Sequence, residues 1–376
     1  MPTIHKVSNN VIAAALCQSI GLNDLDAHFS EQTLDAAHEQ FPGMSLGELL
    51  LLRAAAGGYS GDSRITAGNV SKLLECALQA SGSSGVNFVS ILDTVADKVI
   101  LDGYQETDQS WREISRIHES KSFMEAESVR ILADAEFKLL PRGGTADDAA
   151  VSDEKFTRKV NRYARKIVIS EAEFLNDDLS VFDKLKAALG YGAGQSFNNV
   201  FWPTFLESVS TLFTTGNGNL ITGGTTNLGS DAVGLALGLV AFQNLRSPVA
   251  DGAKRLVGNP AVLLVPPELE AIANAIYCGR NLSLDGGSYE KMYRPVSAPW
   301  LSDTTLTGSS TKAWYLFRKS SILAPMNVSF LNGAQTPRLI TQAMTGSQLG
   351  VCFSGSWDFG IDAADPLSGI RSKGEA

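Results

Sequence analysis

Residues 163–209 read YARKIVISEAEFLNDDLSVFDKLKAALGYGAGQSFNNVFWPTFLESV, and the pattern changes twice along that stretch. A basic, extended segment up to Ser170 gives way to a turn at Asn176-Asp177-Asp178. Large apolar residues then recur at Phe182, Leu185, Leu189, Phe197, Val200, Phe201, Phe205 and Val209, with Ala193 bridging the gap. Steps of three and four place them on one face of a helix. At ~1.5 Å per residue, Leu179 to Val209 predicts roughly 45 Å of helix. Pro203 falls inside the pattern and is expected to kink or end the helix, since it has no amide N–H and crowds the preceding turn. Gly190, Gly192 and Gly194 sit mid-helix at about 1 kcal/mol each relative to alanine, which predicts close packing against a neighbouring element.

Upstream, from Val129 to Ser170, the pattern is extended. Ala135 to Leu140 lead into the turn-prone Pro141-Arg142-Gly143-Gly144, then an acidic tip with Asp147, Asp148, Asp153 and Glu154, then a return from Lys155 to Ser170. The reading is a long two-stranded arm. With ~3.3 Å per residue, legs of about ten residues reach more than 30 Å. An isolated hairpin of that length is marginal in water, so it should lie on something, and a neighbouring subunit is the natural candidate. The run Lys155, Arg158, Lys159, Arg162, Arg165 and Lys166 has three readings: a solvated strand face, a protein contact surface, or a polynucleotide site. Phe156 and Tyr163 are few aromatics for a base-stacking platform.

Downstream, a Gly/Thr/Asn-rich connection, Thr214 to Gly229, precedes a helical patch from Ala232 to Leu245. The strand Ala261-Val262-Leu263-Leu264-Val265 stops at Pro266-Pro267 and feeds a helix from Glu268 to Tyr277, with Pro267 suited to the first turn. A strand followed by a helix implies a sheet covered by helices. Trp314 to Phe317 and Val328 to Phe330 read as strands, and Arg338 to Ile370 as strands broken by glycines. Near the start, residues 1–80 alternate helical patches with Gly/Ser breaks and read as an arm or accessory segment. From Phe88 to Leu101 helical spacing returns, and Gly103 is expected to end that helix.

Composition bounds the function. A chain of 376 residues, 44% hydrophobic and 19% charged, is long enough for two or three cores. Its net charge of −9 argues against a protein whose main task is gripping nucleic-acid phosphates. Residues 1–50 hold six carboxylates against Lys6 alone. Cys17, Cys76, Cys278 and Cys352 form no C-x-x-C pair, so neither a disulfide framework nor a zinc site is expected, and a reducing compartment fits. Leu16 is too bulky for a signal cleavage site, and no apolar run approaches the ~20 residues a membrane span needs.

Gly43-Met44-Ser45-Leu46-Gly47 satisfies the G-x-S-x-G nucleophile pattern, which would make Ser45 the serine of a hydrolase. That elbow must follow a buried strand, whereas Leu34 to Pro42 are polar and end in proline. Ser45-x-x-Glu48 ahead of Leu49-Leu50-Leu51-Leu52 reads instead as a helix capping box. His5, His28, His38 and His118 show no metal-site spacing. Asp24-x-Asp26-x-His28 lacks the glycine of a calcium loop, since Phe29 stands there. Asp358-Phe359-Gly360 has none of the companions of a kinase. No catalytic residue, cofactor or metal is expected.

Four blocks carry a resemblance. Phe88-x-x-Ile91-Leu92-x-x-x-Ala96-Asp97-Lys98-x-x-Leu101-x-Gly103-Tyr104-x-Glu106, with Trp111, opens the first. Tyr163-Ala164-Arg165 to Ile169-Ser170 with Asn176-Asp177-Asp178-Leu179-x-x-Phe182 is the second, Leu263-Leu264-Val265-Pro266-Pro267-x-Leu269-Glu270 the third, and Ala313-Trp314-Tyr315-Leu316 the fourth. In this order they resemble tailed-phage major capsid proteins of the group often fused to a prohead protease, and Gly43-Met44-Ser45-Leu46 resembles the linker before the capsid part. The resemblance covers about residues 43–365.

It implies the α+β Hong Kong 97-type fold: an N-terminal arm with accessory helices (1–118), an extended loop (119–170), a peripheral domain with the spine helix (171–215 and 326–376), and an axial domain (216–325). It implies a non-enzymatic coat subunit that assembles with itself into pentamers and hexamers of an icosahedral head around double-stranded DNA, without sequence-specific DNA contacts. Portal, scaffold or decoration proteins and a prohead protease are the further partners it would bring. The place would be the virion, with host cytoplasm during assembly and no membrane. Lys138, Arg142, Lys155, Arg158, Lys159, Arg162 and Arg165 are the candidates for contacts between copies. Some members cross-link a loop lysine to an asparagine, and nothing selects among Lys138, Lys155 and Lys159 for that role. An encapsulin-type nanocompartment on the same fold is the nearest alternative. The family pattern has neither Pro203 in the spine nor a linker-like first 80 residues without a protease domain.

Overall fold

The computed structural model describes residues 8–22, 24–79, 88–133, 151–170, 176, 180–229, 232–247, 254–256, 258–282, 293–344 and 350–375. The helices are α1 (Asn9–Ile20), α2 (Leu25–His28), α3 (Glu31–Gln40), α4 (Leu46–Ala56), α5 (Val70–Gln79), α6 (Phe88–Gln105) and α7 (Trp111–Ile114). They continue with α8 (Ser180–Leu185), a π turn (Lys186–Tyr191), α9 (Gly192–Leu212), α10 (Val233–Gln243) and α11 (Pro267–Leu282). The strands are β1 (Ser115–Ser120), β2 (Ala126–Ala133), β3 (Val151–Arg158), β4 (Asn161–Ser170), β5 (Leu220–Ile221), β6 (Arg246–Ser247) and β7 (Lys254–Arg255). Then come β8 (Val262–Val265), β9 (Arg294–Ser297), β10 (Trp314–Phe317), β11 (Met326–Leu331), β12 (Arg338–Met344), β13 (Gly350–Ala363) and β14 (Gly369–Ser372).

The chain forms two compact units, one from Met1–Asp108, Arg162–Phe197 and Ala334–Asp358, the other from Gln109–Asn161, Asn198–Gly333 and Phe359–Ala376. In the first unit, residues 9–79, expected as an arm or accessory segment, are helices built into a core. Leu16, Leu49, Leu50, Leu73 and Leu74 are buried with Phe88, Ile91, Leu92 and Val95 of α6, and with Ile169, Phe182, Leu185, Val351 and Phe353. Burying one such side chain contributes about 1.5–3 kcal/mol, so an apolar set of this size holds the segment to its unit. Ser45 caps α4 through a capping box: its Oγ accepts from the Glu48 N–H at 3.1 Å and its own N–H donates to Glu48 Oε2 at 3.2 Å. The element before it is the helix α3, not a strand, so Ser45 is the cap read from the sequence and does not stand on a strand-to-helix elbow.

The helix end read at Gly103 is corrected, and at Pro203 the helix does not end. Gly103 lies inside α6, which runs on to Gln105, and Pro203 lies inside α9, which runs on to Leu212. The glycine has a packing role. A Cβ on Gly103 would come within 2.8 Å of the Lys186 carbonyl oxygen, and one on Gly190 within 2.7 Å of the Ile100 carbonyl oxygen. The helical run from Ser180 to Leu212 thus exists as predicted in extent, but it is interrupted by the π turn, at which the Gly192 N–H donates to the Ala187 carbonyl. Pro203 is accommodated because Phe201, Trp202 and Phe205 around it are fully buried, and that packing outweighs the lost backbone bond.

The second unit is built on a five-stranded sheet ordered β5-β14-β10-β8-β9. Tyr315 pairs with Leu264, and Leu316 with Leu263, so alternate residues of β8 and β10 face opposite sides. On one side Leu263, Val265, Trp314, Leu316 and Ile370 pack with Leu235 and Phe242 of α10 and Ala273 and Ile276 of α11. On the other, Tyr315 and Phe317 meet Phe205 and Phe213 at ring-centroid distances of 5.5–6.3 Å. Trp111 completes this unit's aromatic set, 6.1 Å from Phe201 and 6.3 Å from Phe330.

β13 runs through both units. Its Gly350–Ser356 part pairs antiparallel with β12, and Phe359–Ala363 pairs antiparallel with β11, which in turn pairs parallel with β1. Gly355 and Gly360, expected to break strands, lie inside its 14 residues.

Candidate subunit interface

The hairpin predicted upstream of the helix is present at its base. β2 and β3 pair antiparallel from Ala126↔Arg158 to Ala133↔Val151, and among the described residues this two-stranded sheet pairs with no other strand. The turn at Pro141–Gly144 and the tip with Asp147 and Asp148 lie outside the described residues. The return leg differs from the single arm read over Lys155–Ser170. It ends at Arg158, and after Lys159-Val160 the chain starts β4, which pairs with β13.

The division at residues 159–160 has a local cause. A Cβ on Gly360 would clash with the Lys159 carbonyl oxygen, so the hairpin base crosses β13 where a glycine removes the obstruction. Val160 is buried there, and the Lys159 N–H donates to Asp362 Oδ2 at 3.3 Å. Burial raises the Asp362 carboxyl above the usual aspartate range, opposed by that hydrogen bond and by the Arg158 charge. Next to it His118 pairs with Asn327 Oδ1 at 3.0 Å. Burial lowers the His118 imidazole, the Asn327 bond raises it, and the charges of Arg158 and Arg116 lower it further. Lys159 Nζ lies 3.5 Å from Glu125 Oε1. The foot of the hairpin is therefore a compact polar cluster.

The described basic candidates divide between the two units. Lys138 and Arg142 lie outside the described residues. Lys155 is opposite Val129 and Arg158 opposite Ala126 on the hairpin, and these belong with Lys159 to the second unit. Arg162 and Arg165 are on β4 in the first unit. Arg162 is engaged within its own unit, its Nε 2.8 Å and Nη2 2.9 Å from the two carboxylate oxygens of Asp358. That paired geometry fixes β4 to β13 more than it offers a charge outward. Arg165 and Lys166 are exposed.

The sequence reading missed apolar surface. Phe123 and Met124, separated from β2 by Glu125, are 43% and 78% exposed. On α10, Val233, Leu237 and Val240 are exposed as well. The signal for the second was available: Val233 to Gln243 carries no charged residue on any side. Among the described residues no group of three or more His, Cys, Asp or Glu side chains could hold a metal ion, and no helix is long and apolar enough to cross a membrane.

Residues 153–372 match the family model described as phage capsid protein. No protein of curated function matches the sequence. Similar solved structures include the virus-like particle from Pyrococcus furiosus, 14% identical over 74% of this chain and 97% of that one, with a TM-score of 0.43. The capsid of the cyanophage P-SCSP1u is 12% identical over 70% of this chain and 86% of that one, with a TM-score of 0.45. The procapsid of satellite phage P4 including the size determination protein is 12% identical over 74% and 91%, with a TM-score of 0.42.

Proposed function

The chain belongs to the phage capsid protein family, and from that premise we propose how it builds a shell. It is a major capsid protein of the α+β Hong Kong 97-type fold, it assembles with copies of itself, and its place is the virion capsid. In our reading the subunits form pentamers and hexamers that close into an icosahedral head around double-stranded DNA. Residues 119–170 act as the extended loop, 171–215 with 326–376 as the peripheral domain, and 216–325 as the axial domain. The role is mechanical: a packed body sets curvature, and the hairpin overlaps a neighbour.

The observation that carries this reading is the β2–β3 pair. A two-stranded ribbon with no third strand among the described residues is marginal alone, and a neighbouring copy supplies the surface it lacks. Lys138, Arg142, Lys155, Arg158, Lys159, Arg162 and Arg165 are the proposed contacts, with the exposed Arg165 better placed than Arg162, which already holds Asp358. Many such contacts, each weak, sum to a stable closed shell. The net charge of −9 lets packaged DNA move without adhering. Portal, scaffold or decoration proteins and a prohead protease would meet this subunit in the host cytoplasm during assembly.

Size-exclusion chromatography with negative-stain microscopy of the purified protein is the test. Rings or closed particles are expected, and charge reversal at Lys155 and Arg165 together should lower the assembled fraction. A persistent 40.0 kDa monomer over a wide concentration range would overturn the reading. Particles that enclose an enzyme in place of DNA would replace the phage head with a nanocompartment.

A further inference from the structure

The helix α10 lies flat on the second unit's sheet. Leu235, Gly238 and Phe242 are buried, and a Cβ on Gly238 would clash with the Trp314 ring, so the helix rests directly on the indole. That close seat fixes which residues turn outward. They are Val233, Leu237 and Val240, exposed by 47%, 43% and 58%, one turn apart with Ala236 between them. The helix α11 gives the comparison. It buries Ala273 and Ile276 on the same side of the same sheet, yet turns Glu268, Glu270 and Asn274 outward, as a solvated helix should. One helix of the layer is finished for water and its partner is not. Contiguous exposed apolar surface of this kind marks a contact site.

We propose that the outward face of α10 is buried against a second copy of this chain in the assembled shell. The inference rests on the reading of the protein as a shell subunit and assigns it a specific contact. The shell reading and two observations select a copy of the chain as the occupant. A shell subunit meets other copies far more often than any other partner. The stripe carries no charge within a chain of net charge −9, so it is a place where two acidic copies can approach without like-charge repulsion. A lipid surface would call for lysine and arginine along the polar flank of the helix, and Val233 to Gln243 has neither.

The test compares wild type with the Leu237→Asp/Val240→Asp double variant by chromatography and negative-stain microscopy, with circular dichroism to follow folding. The expected result is a folded, soluble subunit whose particle yield falls more than tenfold. If wild type itself forms no particles, the shell reading fails; if both proteins form particles in equal yield, the α10 assignment fails while the shell reading stands. Should the double variant not fold, Leu237→Cys in a Cys278→Ser background keeps the question open to measurement. Maleimide labelling of that cysteine should be at least tenfold slower in particles than in dissociated subunits. Equal rates overturn the proposal, as does protection that appears only after an unrelated protein is added.

Discussion

Gly190 is seated directly against Gly103: a Cβ built on Gly190 would stand 3.1 Å from the Gly103 Cα and 2.7 Å from the Ile100 carbonyl oxygen. Two helical elements of the first unit, α6 and the π turn, therefore approach backbone to backbone at a point where neither side chain has room. The consequence reaches the neighbouring residue, because the same approach sets Lys186 on Asp102 and Glu106.

Alanine at Gly190 or Gly103 should destabilise the protein by about 1–3 kcal/mol, since backbone atoms rather than flexible side-chain ends must move. Gly192 is the control. A Cβ there would meet nothing closer than the Ala187 carbonyl oxygen at 3.5 Å, so Gly192→Ala should be neutral or stabilising by up to about 1 kcal/mol. Denaturant unfolding of the dissociated subunit measures all three. Equal losses at Gly190 and Gly192 would contradict the close seat.

Lys186 Nζ lies 2.8 Å from Asp102 Oδ2 and 2.8 Å from Glu106 Oε1. The hydrogen bond to Asp102, then that to Glu106, raises the ammonium above the usual lysine range. A raised folded value means the contribution is complete below the unfolded lysine value of about 10.4 and lost as pH climbs through the folded one. Lys186→Met should thus lose up to about 1 kcal/mol at neutral pH, with the deficit shrinking at strongly alkaline pH. A deficit that stays constant from pH 7 to 11 would show that the ion pairs contribute nothing.

The sequence made the large periodic elements legible and left their exceptions hidden, for physical reasons that differ by site. Apolar spacing over 88–101 and 179–209 gave α6 and the long helical run because burial on one face leaves a mark on every turn. The π turn left almost none: one extra residue per turn shifts the phase slightly, and only the crowd of glycines at 190, 192 and 194 hinted at a close neighbour. The break at Lys159-Val160 was invisible because nothing in that dipeptide marks a turn. What permits it is Gly360, some 200 residues later, and the bond to Asp362. At the candidate interface the charged residues were easy to find and their sorting was not, since Asp358, the partner that occupies Arg162, is equally remote in the chain. The bare face of α10 was the reverse, plain in composition and unremarked because apolar helices usually signal core.

Ser45 offers a sharp separation of two readings. As a cap it joins Glu48 in reciprocal hydrogen bonds of 3.1 and 3.2 Å. Ser45→Ala should cost ~1 kcal/mol of stability, and Ser45→Asp should recover most of it, because a carboxylate also accepts from a helix N-terminal N–H. Thermal unfolding of the three proteins checks the order. If Ser45→Ala instead removed a measurable esterase activity while leaving the melting curve in place, the cap would not be the residue's main role.

The foot of the hairpin should make the subunit's stability depend on mildly acidic pH. His118 is held below its ordinary value by burial, against its bond to Asn327 and with the help of the Arg158 and Arg116 charges. A lowered folded value means the unfolded chain binds the proton first, so the stabilising contribution is present above about pH 6.5 and declines as pH falls below it. Asp362 works in the opposite sense: burial raises its folded value, so folding favours its neutral form, and stability falls as pH rises from about 3.9 through the folded value. As pH falls below about 6.5, the histidine lowers stability and the aspartate acts against it. His118→Gln, which can keep an amide hydrogen bond to Asn327 but cannot take up a proton, should flatten the decline. Urea unfolding midpoints at half-unit pH steps give the answer, and parallel slopes for wild type and His118→Gln would remove the imidazole from the account.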